Sequence, residues 1–264
     1  MRRSVAAITG ASSGIGMVFA QKLAAEYDLL LIARRGERLE ALAAELTSQN
    51  GGVAQVLVAD LSDEDDLETV AQRIATLPGL ALLINNAGFG TTGLFWEASL
   101  EMQERMHKLH VLATVRLTHA ALKNMTAANS GAIINVASVA AFVRGTGGAS
   151  YGATKSWMVA FTEALYLELK SVGSAVKMQA LCPGFTFSEF HDVLHVDRKR
   201  LASSSLWMTT EFVVHQSLEA LRRGKLFVIP GWRYQVIVAV VSKLPASLRV
   251  AIEAAVSKSR SARR

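Results

Sequence analysis

Tyr151 and Lys155 lie four residues apart in the pentapeptide YGATK. On a helix that spacing puts a phenol and an ammonium on one face. A cation there favours the phenolate and brings the tyrosine closer to working pH as a proton donor. Ser138 follows an apolar run at its carboxyl end, where a hydroxyl can polarise a carbonyl oxygen. A second set of residues is suited to holding a nucleotide. TGASSGIG, Thr9 to Gly16, sits between an apolar run and a helical pattern. Its glycines let the backbone turn sharply and approach a pyrophosphate, while the N–H groups and dipole at a helix start attract the anion. After the next apolar run comes Ala33-Arg34-Arg35, with no carboxylate to read a ribose. Two guanidiniums suit a 2′-phosphate, which points to NADPH rather than NADH; the competing reading is a pair of solvated arginines at a helix start.

The stretch MHKLHVLATV, Met106 to Val115, predicts one amphipathic helix with His107 and His110 on the same face. Two imidazoles without a matching carboxylate or third histidine are poor evidence for a metal, and no metal site is expected. Cys182 is the only cysteine, so no disulfide framework or cysteine-based zinc cluster exists, and a reducing, cytoplasmic compartment fits. Before Pro183 it reads as a small buried residue, since nothing marks it as a thiolate.

The elements that must position these groups are visible as apolar runs: VAAIT (5–9), LLLIA (29–33), AQVLVA (54–59), ALLIN (81–85), GAIINVA (131–137), KMQALC (177–182) and KLFVIP (225–230). Nearly continuous apolarity is what strands buried on both faces require. Helical patterns such as GMVFAQKLAAEY, ERLEALAAELTSQ and KSWMVAFTEALYLELKS lie between them. Strict alternation predicts an α/β fold, a doubly wound parallel sheet of about seven strands with helices on both faces. Without repeats or a composition break, residues 1–264 are expected to form one domain. Two segments depart from the rhythm. The stretch of about 185–215 is expected to form a lid, with Phe185, Phe187, Phe190, Leu194, Leu206, Trp207 and Met208 as an apolar substrate wall. The extension of about 231–264, in which Pro245 separates two helical pieces, reads as a buried cap or oligomer contact, with a helix lying on a membrane surface as the second reading.

Half of the 264 residues are hydrophobic and 19% are charged, which excludes a disordered chain. The net charge of +6 sits in Arg2, Arg3, Lys258, Arg260, Arg263 and Arg264; those six aside, 22 basic residues face 22 acidic ones. A neutral body with basic tails gives no nucleic-acid surface. The run VIVAVV is far too short to span a bilayer.

TGASSGIG, NNAG at 85–88, Ser138, YGATK and Pro183-Gly184, in this order, resemble the short-chain dehydrogenase/reductase family, from residue 5 to about 230. The resemblance implies a Rossmann fold in which Ser138 orients a substrate carbonyl, Tyr151 exchanges its proton, and Lys155 binds the nicotinamide ribose while lowering the tyrosine pKa. It assigns Gly10, Ser12, Ser13, Gly14, Ile15 and Gly16 to the cofactor cradle, and Arg34 and Arg35 to the adenosine end. Asp60 and Leu61 would flank the adenine, and Asn86, Ala87 and Gly88 the cofactor ribose. After Pro183-Gly184 the family places a threonine on the nicotinamide carboxamide; here Ser188 stands at the matching offset and Thr186 two residues earlier. The family's helix asparagine, which holds a water linking the lysine to solvent, is replaced by His110. That substitution is either a relay participant or a structural replacement.

The reading is an NADPH-dependent oxidoreductase reducing an apolar ketone or aldehyde to an alcohol, working as a homodimer or homotetramer without nucleic acid. Its rivals are a non-catalytic NADPH-binding sensor or scaffold, and an NAD-dependent alcohol dehydrogenase.

Overall fold

A computed structural model describes residues 3–190 and 204–261. Seven parallel strands form one sheet: β1 (Val5–Thr9), β2 (Asp28–Ala33), β3 (Ala54–Val58), β4 (Leu80–Asn85), β5 (Ala132–Val136), β6 (Lys177–Leu181) and β7 (Phe227–Val228). Their order is β3-β2-β1-β4-β5-β6-β7. The chain winds outward from β1 to β3, then returns to lay β4 against the other side of β1. This reversal opens a crevice at the carboxyl ends of β1 and β4, where open α/β sheets bind ligands.

Side chains alternate across each strand, and both sides are covered. Ile8, Leu31, Ile84 and Ile134 face one layer with Phe19 of α1 (Gly14–Leu23), Leu42 of α2 (Gly36–Asn50) and Val213 of α7 (Thr210–Arg222). Ala7, Leu30, Leu83 and Ile133 face the other, with Ile74 of α3 (Glu64–Ala75), Leu117 of α5 (Ala113–Ala127) and Leu169 of α6 (Ala149–Ser171). Two-sided burial is why the strand sequences are largely apolar. The edges differ. In β3 no residue is fully buried, and β7 shrinks to two residues, shorter than the expected 225–230 run. Asp63 caps α3 by accepting from the amides of Asp65 and Asp66. Gly51, at φ 62°, ends α2 in the left-handed conformation.

Two expectations need correction here. The helix expected through MHKLHVLATV is interrupted. After α4 (Leu100–His107), residues Lys108–Leu112 form a π-helical segment before α5 begins. Its wider turn breaks the shared face: His107 is exposed and bonds the Gln103 carbonyl at 2.8 Å, whereas His110 is fully buried. Arg3 is not a free tail residue, since its guanidinium bonds the carbonyls of Ala24 and Asn50.

A buried polar chain crosses the sheet beneath the crevice. Register pairs Asn85 of β4 with Asn135 of β5. The Asn85 amide donates to Asn135 at 2.8 Å and to Thr118 at 3.0 Å, and the Asn135 amide donates to Thr162 at 2.9 Å. Each is 4% exposed or less. Removing the middle member strands a buried donor, so Asn135→Ala is expected to cost about 2 kcal/mol. Urea unfolding of the two proteins measures the difference.

Candidate active site

Because all strands are parallel, the loops after β1, β2, β3, β4, β5 and β6 leave the sheet on one side. There they enclose a cavity of about 1070 Å³. Its lining contains all the expected site residues except Gly16: Gly10, Ser12, Ser13, Gly14, Ile15, Arg34, Arg35, Asp60, Leu61, Asn86, Ala87, Gly88, His110, Ser138, Tyr151, Lys155, Pro183, Gly184, Thr186 and Ser188.

The glycine loop is shaped by close approach. Gly10 has φ +66°, and a Cβ there would meet the Ala87 Cα at 2.9 Å. Gly16 lies beneath the loop, where a Cβ would strike the Gly10 carbonyl oxygen at 2.4 Å and the Asn86 amide at 2.5 Å. It serves packing of helix against loop and does not face the cavity, contrary to its expected place in the cradle. Asn86 also turns its side chain inward, donating to the Thr9 and Gly10 carbonyls at 2.9 and 3.3 Å, while Thr9 accepts from the amides of Asn86 and Ala87. The β4 loop thereby clamps the β1 loop.

At the far end, Arg35 donates to the hydroxyls of Ser12 and Ser13 and to Glu189. Arg34 is 62% exposed and stands 3.7 Å from Asp60, whose closer partner is Arg105 at 2.9 Å. Asp60 also accepts from the Ser62 amide and hydroxyl. Burial pushes its pKa up, but these hydrogen bonds and the two arginines bring the net result below the ordinary value.

At the opposite end, Ser138 accepts from the Ala140 amide and caps a short 3₁₀ turn, Val139–Ala141. Tyr151 and Lys155 lie on the first turns of α6, as the spacing requires. The Lys155 ammonium donates to the Val136 carbonyl at 2.8 Å and sits 5.8 Å from the centre of the Tyr151 ring. The expected lowering of the tyrosine pKa is not found. Burial pushes the phenol up to about 12, offset in part by a hydrogen bond with Ser138, and burial brings Lys155 down to about 7. The ammonium is turned toward β5, and desolvation is the largest cause of both shifts. Cys182 is fully buried and its thiol is pushed up to about 12 by burial, which makes it inert.

His110 has both ring nitrogens engaged. Nε2 accepts from the Phe89 amide at 3.3 Å, so Nδ1 carries the proton and donates to Thr154 at 2.9 Å; Thr154 in turn donates to the Tyr151 carbonyl. Gly88 makes room, since a Cβ there would lie 2.7 Å from Nε2. The imidazole ties the β4 loop to the helix bearing Tyr151. Among the described residues no cluster of metal-ligating groups occurs.

The expected lid is described in part. Leu194 lies outside the described residues. Phe185, Phe190 and Leu206 line the cavity, with Phe190 packed 5.7 Å from the Tyr151 ring. Phe187 and Trp207 instead stack on each other at 5.0 Å, and neither they nor Met208 lines the cavity. Thr186 donates to the Gly184 carbonyl, and Ser188 packs against the glycine loop, where a Cβ on Gly14 would reach it at 3.2 Å.

Three participants carried no signal in the sequence. Tyr234, on α8 (Trp232–Lys243), accepts from the Phe185 amide and donates to the Leu206 carbonyl, holding both sides of the lid. Its ring occupies the space a Cβ on Gly184 would fill, at 2.1 Å. Ile237 of the same helix reaches the cavity, so the extension caps the site. Glu189 joins Arg35 and Arg38. Beyond Pro245, α9 (Ala246–Ser261) places Glu253 on the Arg144 amide. No helix among the described residues is long and apolar enough to cross a membrane.

A doubly wound sheet with a glycine loop at its switch point, and a serine, tyrosine and lysine at the other end of one cavity, defines a nucleotide-binding oxidoreductase. The chain belongs to the short chain dehydrogenase family, whose pattern matches residues 4–198. The NADP-dependent 3-hydroxy acid dehydrogenase of Schizosaccharomyces pombe is 33% identical over 230 residues, 84% of this chain and 88% of that protein. A short-chain dehydrogenase from Sphingobium yanoikuyae, solved in complex with NADPH, is 32% identical with TM-score 0.82, over 92% of this chain and 97% of that one. The bulky-bulky ketone specific alcohol dehydrogenase from Comamonas testosteroni is 29% identical with TM-score 0.78, over 93% and 96% of the two chains.

Burial of His110, reinforced by the Lys155 charge and by His107, holds its pKa well below 6.5. Below about 6.5 the unfolded chain takes up a proton that the folded one refuses, so stability is lost as pH falls. Lys155 acts in a separate window, between its folded value of about 7 and its ordinary 10.5. Denaturant unfolding from pH 6.5 to 5 is expected to lose up to about 1.4 kcal/mol per pH unit, a slope that His110→Asn flattens.

Proposed function

We propose that the protein is an NADPH-dependent reductase of apolar ketones or aldehydes. The observation that carries this reading is the polarity of one cavity. Guanidinium and hydroxyl groups of Arg35, Ser12 and Ser13 stand at one end, and Ser138, Tyr151 and Lys155 stand at the other among Phe89, Leu109, Val143 and Phe190. The residues present fit a phosphorylated dinucleotide: the positive φ of Gly10 and Gly14 lets the loop backbone approach a pyrophosphate, and the cavity volume exceeds that of ordinary small-molecule sites. Gly10, Ser12, Ser13, Gly14 and Ile15 would hold the pyrophosphate, Arg34 and Arg35 the 2′-phosphate, Asp60 and Leu61 the adenine, and Asn86, Ala87, Gly88 and Lys155 the riboses. Thr186 or Ser188 would meet the carboxamide. The bound cofactor supplies a hydride. The NADPH complex of the Sphingobium protein and the name of the yeast relative support this cofactor, and the Comamonas enzyme, specific for bulky-bulky ketones, supports a ketone substrate.

Ser138 and Tyr151 polarise the carbonyl oxygen by hydrogen bonds. With its pKa near 12, Tyr151 is fully protonated at neutral pH and ready to give its proton to the developing alkoxide, which favours reduction over oxidation. The charged form of Lys155 supports the nascent phenolate, which takes up its next proton from solvent. His110, with both nitrogens occupied, acts by fixing the Tyr151 helix and not as a carrier of the proton. Phe187 and Trp207 stack on each other outside the cavity lining. A homodimer or homotetramer is proposed on the exposed Leu112, Val115 and Leu167 of the helices flanking the site, and light scattering at micromolar concentration tests it.

NADPH oxidation across a panel of apolar ketones, aldehydes, quinones and β-ketoacyl thioesters is expected to select the first two classes. Tyr151→Phe is expected to lose about 10³-fold in turnover while still binding NADPH; unchanged turnover would refute the proton-donor role, and binding without turnover in the parent would favour a sensor or scaffold. Because the cationic form of Lys155 is needed, kcat/KM for reduction is expected to fall as pH rises through about 7. Stopped-flow rates from pH 5 to 9 measure that limb.

A further inference from the structure

Glu189 has an arrangement that binding a pyrophosphate, adenine or ribose does not call for. Its two carboxylate oxygens take separate guanidiniums: Oε2 accepts from Arg35 at 2.8 Å and Oε1 from Arg38 at 2.6 Å. Arg35 turns its other edge to Ser12, at 3.2 and 3.0 Å, and to Ser13, at 2.7 Å. Two guanidiniums and two hydroxyls gathered at the cavity rim form a donor set matched to a phosphate, because the planar fork of arginine pairs with two oxygens at once. A carboxylate from the lid side of the cleft fills it. These two arginines hold the Glu189 carboxyl down at about 2, so it is an anion at every working pH.

We propose that Glu189 is a specificity-determining residue for the adenosine end of the cofactor, competing with a 2′-phosphate for Arg35 and Arg38 and so weakening phosphorylated cofactor selectively. The inference rests on the reading of Arg35 as the 2′-phosphate partner. Glu189 is 41% exposed, and an ion pair at that exposure is worth little, so a 2′-phosphate of nearly two charges displaces the carboxylate. An unphosphorylated ribose leaves the clasp in place. The residue therefore moderates the preference without abolishing it, and keeps Arg35 folded over the glycine loop when no phosphate is bound.

The test is fluorescence titration of parent and Glu189→Gln with NADPH and NADH, and displacement by 2′,5′-ADP and 5′-AMP. The glutamine keeps the shape and a hydrogen-bonding oxygen but removes the charge. Glu189→Gln is expected to lower the Kd for NADPH and 2′,5′-ADP by about three- to tenfold, with NADH and 5′-AMP changed less than twofold. In an Arg35→Ala, Arg38→Ala background the gain is expected to vanish, which a general charge effect on any polyanion would not produce. Equal changes for phosphorylated and unphosphorylated ligands, or none, overturn the inference whatever the parent prefers. A parent that prefers NADH while Glu189→Gln gains NADPH selectively overturns the NADPH reading and leaves the role of Glu189 standing.

Discussion

Hydrogen bonding between β4 and β5 sets Asn85 opposite Asn135, and this register fixes where the reactive loops emerge. One residue beyond Asn85 the chain turns back to clamp the glycine loop through Asn86, and just beyond β5 comes Ser138. A slip of one residue would turn every strand side chain to the opposite face. It would also part the amides that meet at 2.8 Å beneath the crevice. The polar chain through Thr118, Asn85, Asn135 and Thr162 also reaches α6, the helix that carries Tyr151 and Lys155. An apolar core tolerates sliding; a buried chain of amides and hydroxyls with fixed partners does not.

The same burial governs the electrostatics. Within one turn of α6 the protein removes a phenol and an ammonium from water, and each shifts toward its neutral form. The ammonium finds a carbonyl of β5 as its partner and the phenol finds Ser138, so neither is stranded. His110 is kept neutral by burial as well and spends both nitrogens on structure. The π-helical turn makes this possible, since it rotates His110 into the core while His107 remains outside.

Apolar periodicity marks the strands because both sheet faces are covered, and it overstates β7, where only Phe227 and Val228 form the strand. The glycine loop and Ser138 are legible as particular residue types at strand ends, and Tyr151 and Lys155 as a four-residue spacing on one helix. Gly16 is legible as a required glycine but not as a packing one, since a motif records the absence of a side chain and not what fills its space. Tyr234, Glu189 and the inward turn of Asn86 are invisible for a further reason. Each acts through contacts distant in sequence, and no local spacing encodes a tyrosine that meets a backbone 49 residues away.

The segment from Gly184 to Phe190 shows how such distant contacts combine. Gly184 yields its space to the Tyr234 ring, Ser188 rests on the glycine loop, Glu189 reaches the arginines after β2, and Phe190 packs on Tyr151. Thr186 pairs with Met208 at its middle, and the Phe187 ring stacks on Trp207. Glu189, at the arginine end of the cavity, and Phe190, at the Tyr151 end, are thus consecutive residues.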